Sequence, residues 1–187
     1  MVMKILCYLM GCLVLTAAAP SRCFSQSNEA PSFDSFNVAV WRGRMAPLNL
    51  NSHPLARKFR TASREQMKEA GVNFAGHYTL VSVGCGTGCG ISGIVDARTG
   101  KAYFPTEFVG WTGIVGDYDP PEGEDSWTFH ANSRLLRAIG RPNLGRPEEE
   151  RHGPSGIYYY EWVRNRLRLV KFIPVGSYPE PDPPVRR

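Results

Sequence analysis

His77-Tyr78-Thr79-Leu80-Val81-Ser82-Val83, Gly84-Cys85-Gly86-Thr87-Gly88-Cys89-Gly90 and Ile91-Ser92-Gly93-Ile94-Val95-Asp96 follow one another without a break, and their reading decides the fold. The outer two runs read as short strands, and the stretch between them, glycine at every second position, reads as the tight loop that joins them. Glycine supplies the positive φ values that such a loop requires. Two cysteines four positions apart read as a disulfide in an exported chain. A bridge over so short a loop contributes only about 2 kcal/mol, so its role is to fix the shape of the loop.

Working outward, the same signals recur. Ala97-Arg98-Thr99-Gly100, Asn132-Ser133 and Asn165-Arg166 read as hairpin turns. Strands are expected over residues 36–41, 77–83, 91–96, 101–104, 108–115, 127–130, 135–139, 157–164 and 167–173. One amphipathic helix, which could break near Thr61, is expected over residues 54–70, with Leu55, Phe59, Ala62, Met67 and Ala70 on its apolar stripe and Gly71 as its stop. About nine short strands and one early helix predict an α+β, mostly antiparallel domain, a meander curled into a barrel or sandwich. No repeat of fixed period appears, which disfavours a propeller.

The first residues read as an export signal. Lys4 precedes an apolar run from Ile5 to Ala19, shorter than the ~20 residues a spanning helix needs. Cleavage after Ala19 would leave Pro20 at the new terminus, so a cut after Ser25 is favoured. Leu9-Met10-Gly11-Cys12 resembles a lipid-attachment box but interrupts the apolar run, and is discounted. The expected division is a signal peptide over residues 1–25, a polar leader over 26–35, one β-rich domain over 36–176 and a Pro-rich tail over 177–187. Cys7, Cys12 and Cys23 leave with the signal, so Cys85 and Cys89 are the remaining pair. The location expected is periplasmic or extracellular, with no permanent membrane span after cleavage.

Charge points away from nucleic acid. The chain has 22 basic and 17 acidic residues. Loss of Lys4 and Arg22 with the signal leaves a modest excess, scattered among acids rather than set in a groove that tracks phosphates.

Asn73-Phe74-Ala75-Gly76-His77-Tyr78, the Gly84 to Cys89 loop and Asp96-Ala97-Arg98-Thr99-Gly100-Lys101 together resemble a group of exported bacterial proteins with no established activity. The resemblance implies a similar β-rich exported domain. It implies no reaction and carries over no catalytic residue.

The residues offer several chemistries. Cys85 or Cys89 could act as a nucleophile with His77 as base and glycine amides as oxyanion donors, but paired thiols in an oxidising compartment form a disulfide instead. Gly86, Thr87 and Gly88 suggest a phosphate cradle without the spacing of a nucleotide fingerprint. His53, His77, His130 and His152 show no ligand spacing, so no metal site is expected. The acidic residues Asp117, Asp119, Glu122, Glu124 and Asp125 match no calcium loop. Arg164, Arg166 and Arg168 recur at period two and would share one face beside Tyr158, Tyr160 and Trp162, a composition found in binding sites and on solvated sheets alike.

The reading reached is a non-enzymatic binding protein of the envelope, of accessory, inhibitor or immunity type, without a cofactor. Its expected contact residues are His77, Tyr78, Gly86, Thr87, Gly88, Arg164, Arg166 and Arg168, and its expected partner is an envelope protein or cell-wall component. A preorganised loop on a β scaffold loses little entropy when it docks. The alternative is a small envelope-acting hydrolase or transferase using His77 with Cys85.

Overall fold

The computed structural model describes residues 29–113, 126–145 and 152–175. The expected signal peptide, the acidic stretch around Asp117 to Asp125 and the Pro-rich tail lie outside the described residues. No helix among the described residues is long and apolar enough to cross a membrane.

Among the described residues eight strands form two antiparallel sheets. In the first, β1 (Tyr78–Gly86) pairs along one edge of β2 (Cys89–Asp96). The other edge of β2 takes two short partners end to end: β3 (Ala102–Tyr103) beside Ile94 and Val95, and β4 (Val109–Thr112) beside Cys89 to Ile91. The second sheet is a meander of β5 (Trp127–Phe129), β6 (Leu135–Gly140), β7 (Gly156–Val163) and β8 (Arg166–Pro174).

Among the described residues the meander is thus divided between two sheets and does not close into a barrel. Side chains two apart in a strand share a face. Tyr78 and Leu80 of β1, Ile94 of β2 and Trp111 of β4 therefore meet Leu136 and Ala138 of β6 and Tyr158, Tyr160 and Trp162 of β7 in one aromatic core. A backbone link joins the sheets as well, since Thr112 and Arg141 exchange both hydrogen bonds, at 3.1 and 2.8 Å.

The first expected strand does not form. Residues 36–41 make bonds at only two places: Arg134 N–H donates to the Phe36 carbonyl and Val38 N–H to Asn132, which together form the single bridge Asn37–Ser133, and Trp41 N–H donates to Gly76. A strand needs one continuous neighbour, and this segment has turns beneath it instead. The chain also joins the domain earlier than residue 36. Phe33–Phe36 is a 3-10 helix, Ser133 Oγ donates to the Phe33 carbonyl, and the Phe33 ring meets His130 edge-on.

Residues 54–70 form two helices, α1 (Pro54–Lys58) and α2 (Arg60–Ala70). Pro54 suits the first position of α1, and His53 caps it by accepting the Leu55 N–H at Nδ1. The break at Phe59 turns the apolar stripe, so Ala56, Ser63 and Met67 are buried while Ala70 is exposed. These helices cover the outer face of the first sheet, where Ala56 and Met67 pack with Leu48, Val81, Val95 and Ala102.

The outer edge of β1 is closed by side-chain amides. Asn73 accepts from Leu80 N–H and donates to its carbonyl, and Gln66 does the same at Ser82. Each amide stands where a neighbouring strand's peptide would, which blunts an edge open to pairing.

Burial in the aromatic core pushes the hydroxyls of Tyr78, Tyr103 and Tyr158 above the ordinary phenolic range, and that of Tyr160 furthest. Because the unfolded chain ionises at about 10 and the folded chain resists, this stability is fully present below about pH 10 and is lost as pH rises toward the folded-state values. Tyr160→Phe removes the largest offset. Melting temperatures measured from about pH 9 to 11 should fall less steeply for this variant than for the natural chain; parallel decline would place the alkaline loss elsewhere.

Candidate functional site

β1 and β2 carry candidate residues at both ends. At the far end the hairpin closes with Thr87 and Gly88 between Gly86 and Cys89, and the Cys85–Cys89 disulfide joins the strands just behind that tip. Gly86 and Gly88 adopt φ values of 146° and 68°, which a side chain resists, whereas Gly84 has an ordinary φ and open space around it. Two of the four loop glycines are thus needed for the turn itself. Everything from Gly84 to Gly88 is exposed, while Tyr78 to Val81 of the same strand are buried. Among the described residues no side-chain amide bonds to the edge of β1 beyond Ser82. Beside the tip lies a cavity of about 480 Å³, lined by Cys85, Cys89, Ile91, Val109, Thr112 and His152 among others.

At the near end, Phe74 and Tyr78 exchange backbone hydrogen bonds across a tight turn containing Ala75 at φ 47°. That turn delivers His77 to a second cavity of about 310 Å³, formed with Arg98, Arg134, Trp162 and Arg164. Arg98 reaches it from the β2–β3 turn, whose shape Asp96 holds by accepting from Arg98 N–H and Thr99 Oγ1. Arg134 comes from the start of β6 and Arg164 from the β7–β8 turn. The Tyr78 hydroxyl donates to Asn165 Oδ1 at 2.8 Å and ties that last turn to β1.

The electrostatics of this cavity follow from its contacts. An Arg98 terminal nitrogen stands 2.8 Å from His77 Nδ1. A guanidinium only donates, so Nδ1 accepts and the neutral ring carries its proton on Nε2. Burial, then the Arg98 charge, hold the His77 pKa below its ordinary value, against a smaller opposing pull from Asp96. Asp96 Oδ1 lies 4.0 Å from Nε2, beyond hydrogen-bond range. Glu161, buried, is held between Arg134, at 3.1 Å, and Arg168. The Trp162 indole, 2% exposed, has no hydrogen-bond partner of normal geometry among the described residues. Its N–H does influence the nearby Tyr78 hydroxyl, partly offsetting the upward push of burial there.

The two ends do not meet. His77 and Cys85 are eight positions apart along an extended chain, roughly 25 Å at the rise of a strand. His77 cannot act as base for either cysteine, and the cysteines are bonded to each other.

The three arginines read as one face are also divided, Arg164 standing apart from Arg166 and Arg168. The turn between β7 and β8 is Arg164-Asn165, both at positive φ (51° and 59°), one residue earlier than expected, so Arg164 lies outside the ladder. Arg166 pairs with Val163 and Arg168 with Glu161, and residues directly opposite share a face. Tyr158, Tyr160 and Trp162 occupy the other face, in the core. Arg166 instead borders a third cavity with His53, Lys101 and Tyr103.

The remaining histidines have separate local roles or places: His53 caps α1, His130 meets Phe33, and His152 bridges to Asn143. Among the described residues no group of three His, Cys, Asp or Glu side chains gathers.

Arg98, Arg134 and Trp162 were not among the expected contact residues. For Arg98 a signal existed: counting the hairpin register back from the tip places His77 opposite Ala97, where Ala97 N–H donates to the His77 carbonyl. For Arg134 there was none, because it belongs to the other sheet. No family model, no curated protein and no solved structure matches this chain.

Proposed function

We propose that this protein is an exported, non-enzymatic binding protein of the bacterial envelope, of accessory, inhibitor or immunity type, that docks an envelope partner with its disulfide-locked hairpin tip. The observation that carries the reading is the exposed tip itself, Gly84 to Gly88, projecting past the last buried residue of β1 and cross-linked just behind its turn. Packing does not require this projection: a side chain at Gly84 or Gly86 would meet nothing within 4 Å. A loop already held in one shape keeps more of its contact energy on binding. The cavity beside the tip offers room for a partner side chain next to the backbone groups of the loop. The export and processing of the chain belong to the same proposal.

Thr87→Arg tests it. An exposed turn absorbs that change within about 0.5 kcal/mol, so thermal unfolding should be nearly unchanged. Capture of a partner from the envelope fraction should fall sharply. Full capture by a variant that melts normally would remove the tip from the interface; a large loss of melting temperature would make the tip a structural element.

A further inference from the structure

The cavity at the opposite end of β1 has a composition that the hairpin tip does not explain. Its polar lining consists mainly of donors. Arg98, Arg134 and Arg164 reach it from three different turns or strand starts, and His77 carries its remaining proton on Nε2. Trp162 lines it with a buried indole N–H that makes no hydrogen bond of normal geometry among the described residues, though it acts on the Tyr78 hydroxyl nearby. A buried donor with a poorly placed acceptor is costly, and an oxygen-bearing ligand would offer it a better one.

The nearby acids are already engaged. Glu161 is held by Arg134 and Arg168, and Asp96 organises the β2–β3 turn. Arg98 and Arg164 make no ion pair among the described residues. Two guanidiniums thus face the cavity without a carboxylate, a planar fork being the group best matched to one. The walls decide what kind of anion fits. Val38, Ala39, Ala75 and Val163 make a large part of the lining apolar, which suits a molecule with a hydrocarbon body better than a free, fully hydrated phosphate. Asp96 and Glu161 nearby also disfavour a dianion. The volume of about 310 Å³ is that of a small-molecule site.

We propose that this cavity binds the carboxylate of a small organic acid, Arg98 and Arg164 holding its oxygens while Val38, Ala39 and Val163 cover its apolar body. Trp162 N–H and His77 Nε2–H are the further donors. The proposal does not rest on the hairpin tip, and either can fail without the other.

The probes are benzoate, the neutral benzamide of the same shape, and inorganic phosphate, each titrated into the protein by calorimetry and by following the indole N–H resonances of its four tryptophans. Benzoate should bind saturably and shift one indole resonance, with benzamide and phosphate weaker. Arg98→Gln and Arg164→Gln alter exposed side chains, so both should melt like the natural chain. Each should weaken benzoate about tenfold, as expected for the loss of a charge-assisted contact. Lys101→Gln removes the same charge outside the cavity and should leave affinity unchanged. The proposal is overturned by benzamide binding as tightly as benzoate, by phosphate binding more tightly, or by no saturable binding at all. Equal weakening by Lys101→Gln would also overturn it, as a general effect of net charge.

Discussion

Gly100→Ala should destabilise the protein by about 3 kcal/mol or more, a large part of the stability of a domain this size. Gly100 closes the β2–β3 turn at φ 72°, where an L side chain is strained. An added Cβ would also sit inside the van der Waals envelope of the Pro47 carbonyl oxygen and 2.9 Å from its carbon. These are backbone atoms and cannot swing aside. Relief would require lifting the segment that crosses the turn, where Asn49 N–H donates to the Gly100 carbonyl and Ala46 N–H to that of Ala97. Leu48, buried against Ala56 and Val95, would come away with it. Chemical denaturation should show a much lower midpoint. Gly84→Ala, in the open tip, serves as the control and should shift it little; comparable losses in both variants would mean that the crossing segment yields easily.

Trp111→Ala should cost about 3–5 kcal/mol, the range for truncating a large buried aromatic side chain. Trp111 is 2% exposed and stands between the sheets, edge-on to Phe108, Trp127 and Tyr158 at ring separations of 6.0, 5.2 and 5.7 Å. Its indole N–H donates to the Ile139 carbonyl at 3.2 Å, so one side chain of β4 packs on and bonds to the second sheet. Truncation leaves a cavity and an unpaired carbonyl at the place where Thr112 and Arg141 link the sheets. Trp111→Phe keeps most of the ring packing and should lose distinctly less. A midpoint for Trp111→Ala within error of the natural chain would show that this junction does not hold the sheets together.

Both substitutions bear on function, because the two candidate surfaces depend on different parts of the fold. The hairpin tip is local to β1 and β2 and is closed by its own disulfide. The arginine-lined cavity requires both sheets in place, since Arg98 comes from one and Arg134 and Arg164 from the other. Loosening the Trp111 junction should therefore disturb benzoate binding before it disturbs capture by the tip.

Strand alternation, turn residues and the spacing of Cys85 and Cys89 are local properties, and they were enough to read an antiparallel protein with a cross-linked glycine hairpin. Local reading went wrong where a distant partner ruled. Residues 36–41 alternate as a strand does but find two turns instead of a neighbour. Arg164, Arg166 and Arg168 keep period two, yet the turn at Arg164-Asn165 sets Arg164 apart and the core on the far side of β7 takes Tyr158, Tyr160 and Trp162 away from Arg166 and Arg168. The division of the meander into two sheets, and the meeting of His77 with Arg98, Arg134 and Arg164, were decided only by tertiary structure. They depend on aromatic packing around Trp111 and on bonds such as that from Tyr78 to Asn165, 87 positions apart. Hydrophobic burial is non-directional and sums over the whole core, so the residues that end up adjacent across it carry no mark in the order of the chain.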